Sequence, residues 1–152
     1  MCGFVCILDL NNGLENININ NVLKNTSNHR GPDDNGFKVY KKCHLFFRRL
    51  SIIDLDRRSN QPISNRQNTI SMVFNGEIYN YIEIKKELLS LGHIFITSGD
   101  SEVLLKSYEQ WGERCVDKLR GMFSFCIWDN KKEEFFAYRD RFGIKPLYYA
   151  IH

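Results

Sequence analysis

Apolar residues in this chain fall mostly in short, dense runs separated by Asn, Gly, Asp and Lys, the pattern of strands joined by turns. Phe4 to Leu10 is the first run; it is closed by Asn11-Asn12-Gly13 and predicts an interior strand with Cys2 at its start. Asn16 to Asn28 has only Ile17, Ile19, Val22 and Leu23 as apolar positions, so a short amphipathic helix is expected against the poor helix propensity of Asn. His29 to Gly36, with two glycines, a proline and two acids, predicts an irregular loop. Phe37–Tyr40 and Leu45–Phe47 predict strands around a Lys41-Lys42 turn, the second continuing through Arg48-Arg49 to Asp54. A polar loop from Arg57 to Asn68 precedes a strand over Thr69–Phe74.

The period then changes. Ile82, Ile84, Leu88, Leu89 and Leu91 mark one face of a helix, with Gly92 as its expected stop. After a short predicted strand at Ile94–Thr97, Asp100 is placed to cap a second helix that reaches Trp111 and stops at Gly112. A short helix around Cys115–Leu119 ends at Gly121. Met122–Asp129 and Glu133–Tyr138 form a hairpin across Asn130-Lys131-Lys132. A charged loop, Arg139 to Pro146, leads to a last expected strand at Leu147–Ile151. At least eight strands in hairpin order with two central helices predict an antiparallel α+β domain with helices packed on sheet faces.

Composition narrows the class. The 152 residues suit one domain, and 43% hydrophobic with 26% charged residues is ordinary for a globular protein. The net charge of +3 comes from Lys and Arg scattered among acids, with no basic stripe for nucleic acid. No apolar run is long enough to span a membrane, and no signal peptide is recognisable. Five cysteines without a CxxC pair argue against a disulfide framework or a zinc site and predict a reducing, cytoplasmic setting. Cys6, Cys43, Cys115 and Cys126 sit among apolar neighbours as expected core filler.

Cys2 changes the picture. Removal of Met1 would leave a thiol and a free α-amine on one residue, a nucleophile beside its own general base. Free α-amines titrate near ~8 and free thiols near ~8.5, so proton exchange within such a pair is close to balanced. By itself a cysteine at position 2 is more often a small buried residue. Asn75-Gly76 has two readings: a tight turn, or a carboxamide and a bare N–H presented together as an oxyanion hole. The adjacent Arg48 and Arg49 point to opposite faces of a strand, so one can face solvent while the other faces a cavity.

Cys2-Gly3, His29-Arg30-Gly31-Pro32-Asp33-Asp34, Arg48-Arg49-Leu50-Ser51-Ile52-Ile53-Asp54, Phe74-Asn75-Gly76-Glu77-Ile78-Tyr79-Asn80, Asp100-Ser101-Glu102, Gly121-Met122-Phe123 and Arg139 to Tyr149 resemble, in the same order, the glutaminase domain of glutamine-hydrolysing asparagine synthetases, a class II glutamine amidotransferase family of N-terminal nucleophile hydrolase type. The resemblance implies a four-layer α/β/β/α sandwich of two antiparallel sheets over residues 1–152, preceding a C-terminal synthetase domain of the same polypeptide. It implies L-glutamine as substrate, Cys2 as nucleophile, and Asn75 with the N–H of Gly76 as oxyanion donors. Arg49 would bind the substrate α-carboxylate, and Asp100, with Glu77 beside it, the α-ammonium. Leu50, Ser51, Ile52 and Ile53 would offer backbone contacts, and Gly31, backed by Arg30, would position the N-terminal amine. No metal or cofactor serves this half-reaction; ATP and Mg²⁺ are expected only in the synthetase domain. The resemblance also admits a homodimer. Phe46-Phe47 stands where the family often has Gly-His. A glutamine-binding module without turnover, or an amidotransferase serving another carboxylate acceptor, are the alternatives.

Overall fold

The computed structural model describes residues 2–9, 11, 14, 31, 34–49 and 60–151. Among them, in chain order, are β1 (Gly3–Leu8), β2 (Asp34–Val39), β3 (Cys43–Arg49), β4 (Ile63–Ser64), β5 (Ile70–Ile78), α1 (Tyr81–Ser90), α2 (Asp100–Trp111), a 3₁₀ helix (Gly112–Asp117), β6 (Gly121–Asp129) and β7 (Glu134–Arg139). The strands form two antiparallel sheets, ordered β1-β3-β2 and β4-β5-β6-β7.

Period-2 alternation sorts the side chains into layers. Met72, Phe74 and Ile78 of β5 and Phe123, Phe125 and Ile127 of β6 share one core with Ile84 and Leu88 of α1 and Val103, Leu104, Leu105 and Tyr108 of α2. On the opposite face of the same sheet, Val73, Cys126 and Trp128 pack with Cys43, Leu45 and Phe47 of β3, and Cys2, Phe4 and Cys6 join them from the β1 side. Helices therefore lie on one face of the four-stranded sheet and the three-stranded sheet lies on the other. The outer face of the three-stranded sheet carries Val5, Ile7 and a buried Phe46. These layers are three of the four in the expected sandwich. The expected helix at Asn16–Asn28 lies outside the described residues.

Several sequence expectations need correction. Ile94–Thr97 is not a strand. The Ile96 and Thr97 N–H groups donate to the Glu102 carboxylate at 3.0 and 2.6 Å, so a helix side chain replaces a strand partner. Leu147–Ile151 forms no strand, and Tyr148, Tyr149 and Ile151 are exposed. The polar loop contains β4, which pairs Ile63 with Met72. Asp100 is the first helical residue of α2; Gly99, with extended backbone, occupies the cap position and supplies no side-chain bond. Arg48 and Arg49 do point to opposite faces, but neither meets solvent, each being 8% exposed. Arg48 lies over the Phe46 ring at 5.5 Å from its centroid.

Candidate active site

The antiparallel register collects the candidate residues at one end of the sandwich. Gly3 of β1 pairs with Arg48 of β3, so Cys2 stands level with Arg49 at the end of that strand. Asp34, the first residue of β2, pairs with Arg49 from the other side. Gly31 is buried against the same spot: a Cβ there would come within 2.6 Å of the Arg49 carbonyl carbon and oxygen. Only glycine fits so close to another backbone. Cys2 is half-buried, and its side chain packs in the inter-sheet core that contains Val73, two residues before Asn75.

Asn75 and Gly76 are not a turn. They lie inside β5, opposite Ser124 and Phe123 of β6. Gly76 has φ +153°, and a Cβ would meet the Met122 carbonyl oxygen at 2.2 Å. Hydrogen bonding along β5 alternates between its two edges. The Phe74 N–H and C=O both turn to the Gln61 carboxamide, the N–H donating to Oε1 at 2.5 Å and Nε2 donating to the carbonyl at 3.1 Å. The Ile78 N–H donates to Asp100 Oδ2 at 3.0 Å. Gly76 lies between these two residues in the alternation, so its N–H faces the same open edge. Its β6 neighbour agrees: Phe123 donates its N–H to Asp140 Oδ2 at 3.2 Å and accepts from the Asp140 N–H at 2.7 Å, turned away from Gly76. The Asn75 side chain, 7% exposed, shares the inter-sheet face with Val73. A carboxamide and a main-chain N–H thus stand on adjacent residues of a buried strand, the donor pair an oxyanion requires.

Arg49 and Asp100 hold opposite charges near this strand. The Arg49 Nη1 donates to Asn60 Oδ1, and Asn60 Nδ2 donates to Asp34. Burial pushes the Asp100 carboxyl above the ordinary range, opposed by N–H donation from Ile78 and reinforced by the negative charge of Glu77. Glu77 follows Asn75 on the same side of β5. Arg30, Leu50, Ser51, Ile52 and Ile53 lie outside the described residues.

The other cysteines differ from Cys2 in surroundings. A side-chain hydrogen bond with Cys126, together with burial, raises the Cys6 thiol well above its usual value, and burial pushes Cys43 and Cys115 to about 12. Such thiols stay protonated and unreactive at neutral pH. Cys43, Cys115 and Cys126 are buried as expected, whereas Cys6 is half-buried. Among the described residues no group of three or more His, Cys, Asp or Glu is placed to hold a metal ion. No described helix is long and apolar enough to cross a membrane.

Sequence reasoning passed over three residues at this end: Asn60, Gln61 and Asp140. Gln61 and Asp140 were legible only as polar residues in loops. Their signal was the neighbour: Gln61 precedes a proline, and Asp140 sits between two arginines in a segment with Gly143.

Residues 1–152 match the family profile described as a glutamine amidotransferase domain. The chain is 43% identical to asparagine synthetase [glutamine-hydrolyzing] 1 of Bacillus subtilis (strain 168), covering 99% of this chain and 24% of that protein. It is 39% identical to asparagine synthetase [glutamine-hydrolyzing] 2 of Oryza sativa subsp. japonica, over 97% of this chain and 25% of that one. The chain thus spans about a quarter of the length of these curated relatives. Among solved structures, the glutamine phosphoribosylpyrophosphate amidotransferase from B. subtilis complexed with ADP and GMP superposes with a TM-score of 0.51 at 25% identity, over 61% of this chain and 22% of that one.

Proposed function

The chain belongs to the glutamine amidotransferase family, and on that premise we propose that it hydrolyses the side-chain amide of L-glutamine through a thioester on Cys2 and passes the ammonia to an ATP-dependent synthetase domain. Removal of Met1 frees the Cys2 amine. The Cys2 thiol gives its proton to that amine as Sγ attacks the amide carbon. The negative charge on the carbonyl oxygen is met by Asn75 Nδ2 and the Gly76 N–H. The amine returns the proton to the departing nitrogen, the C–N bond breaks, and ammonia leaves a γ-glutamyl thioester. Water, deprotonated by the same amine, cleaves the thioester to glutamate and restores the thiol. Arg49 takes the substrate α-carboxylate as a planar, permanently charged fork, and Asp100 takes the α-ammonium with Glu77 beside it.

The observation that carries this reading is the convergence at one end of the sandwich. Cys2 stands level with Arg49 and Gly31 on one sheet and packs against the inter-sheet core that also holds Val73 of β5, the strand of Asn75 and Gly76. Relatives named as glutamine-hydrolysing asparagine synthetases support an asparagine-forming domain as the destination of the ammonia; aspartate would be the acceptor there, and ATP with Mg²⁺ would activate it. Exposed Phe142, Tyr148 and Tyr149 support contact with that domain from the Arg139 to Tyr149 segment.

Cys2→Ala should abolish ammonia release from glutamine, and Cys6→Ala should retain it. An electrophilic glutamine analogue should add its mass to the peptide that begins at Cys2. Ammonia release by Cys2→Ala at the wild-type rate would overturn the mechanism.

A further inference from the structure

Asn60 and Gln61 are consecutive, so their Cα atoms are about 3.8 Å apart. Their side chains hold the two halves of the site. Asn60 accepts from Arg49 and donates to Asp34. Gln61 makes the two bonds to the Phe74 main chain, immediately before Asn75. Its own backbone is wedged against the other sheet: a Cβ on Gly36 of β2 would lie 2.1 Å from the Gln61 carbonyl oxygen.

The need for Gln61 follows from the strand pattern. β4 pairs with β5 only through Ile63–Met72 and Ser64–Ser71. Phe74, two residues beyond Met72, presents its N–H and C=O to the same edge, where the chain has turned at Pro62. The register set by Ile63–Met72 puts Gln61 itself opposite Phe74, and it meets that main chain through its side chain. The Gln61 carboxamide supplies both a donor and an acceptor where the strand partner has ended, and it is buried while doing so.

Resting on the glutaminase reading above, we propose that Asn60 and Gln61 are positioning residues that set the distance between the substrate-carboxylate arm, Arg49, and the oxyanion donors at Asn75 and Gly76. Asn60 fixes the arm and Gln61 fixes the strand. The peptide bond between them keeps both in register with a substrate of one length. Small displacements of a reacting group cost large factors in rate, so a rigid corner between the two ends of the substrate has a direct catalytic consequence.

The test is a split of steady-state constants in the full-length protein with Met1 removed. Gln61→Met, of similar length but without hydrogen bonds, should lower kcat for glutamine about tenfold or more and keep KM within about twofold. Asn60→Ala should raise KM about tenfold and keep kcat within about twofold, because it removes a hydrogen bond that orients the arm and leaves the strand in place. Gln61→Glu retains the acceptor for the Phe74 N–H and loses the donor, so its kcat should fall between wild type and Gln61→Met; it also serves if Gln61→Met does not fold. A purely structural corner would lower the amount of folded enzyme in both variants and move neither constant selectively. Proportional changes in kcat and KM in both variants, or a Gln61→Met kcat within about twofold of wild type, would overturn the proposal. Wild-type protein that releases no ammonia would instead overturn the glutaminase reading, and the proposal with it.

Discussion

Asp100 is a carboxylate with two obligations. It accepts the Ile78 N–H at the end of β5 and is proposed to hold the α-ammonium of the substrate. Burial raises its proton affinity, so it protonates at a higher pH than an ordinary carboxylate. The sign for function is direct: only the ionised form binds the ammonium. KM for glutamine should therefore rise as pH falls through the raised value, with kcat less affected, and Asp100→Asn should raise KM roughly tenfold or more and remove that inflection. A KM profile measured on both proteins checks it. The sign for stability is the reverse. A raised carboxylate contributes stability below its unfolded pKa that is lost as pH rises through the folded value, so ionising Asp100 carries some cost to the fold. At this scale the sequence was informative where side-chain chemistry is unusual. Cys2, Arg49, Asn75 and Asp100 could be proposed from residue type and motif, and Gly31 and Gly76 have backbone contacts that explain why glycine stands there. Gln61 could not be, because its importance lies in a hydrogen bond to a strand 13 residues away.

At the scale of elements, β5 carries the proposed oxyanion donors, and its end beside β6 is braced from outside the sheet. The Asp140 carboxylate accepts N–H groups of Phe123, Phe142, Ile144 and Lys145. Burial pushes its pKa upward, but this set of donors outweighs it and holds the carboxyl below the usual range. Phe123 is the cross-strand partner of Gly76, so the brace steadies the strand that faces the oxyanion donor. Asp140→Asn should lower stability by about 1–3 kcal/mol at neutral pH, because one carboxylate oxygen becomes a donor facing N–H groups. A depressed carboxylate contributes stability above its unfolded pKa and loses it as pH falls through the folded value. The gap between wild type and variant should therefore narrow in acid, as urea denaturation across pH would show. Gly76→Ala is harsher: a Cβ would collide with the Met122 carbonyl at a backbone angle suited to glycine, costing about 1–3 kcal/mol in strain alone. Element type was legible wherever the apolar period was strong, as in β5, β6 and both helices. It failed at Ile94–Thr97, where β-branched residues suggested a strand and Glu102 captured the backbone N–H groups instead. Such a capture is a tertiary event that local composition does not record.

For the whole molecule, hairpin order and two central helices were enough to expect antiparallel sheets with helices on a face, because few layer arrangements bury both periods. The two-sheet sandwich entered only through resemblance, and the pairing order β1-β3-β2, which depends on contacts between distant segments, was not read from the sequence at all. That architecture has a functional consequence. Every group proposed for glutamine hydrolysis, among the described residues, sits on this unit, and each has its proposed part in amide hydrolysis. Activation of an acceptor by ATP needs phosphate-binding and Mg²⁺-binding groups, and the sequence shows no phosphate-cradling glycine loop. Residues 1–152, produced alone with Met1 removed, should therefore convert glutamine to glutamate and free ammonia at a rate indifferent to ATP, and should make no asparagine. Incubation with glutamine, aspartate and Mg-ATP, followed by separation of the amino acids, measures both halves at once. Glutamate without asparagine is the expected result. Asparagine formed by this unit alone would place the synthetase chemistry within residues 1–152 and require a second site that the reading above does not contain.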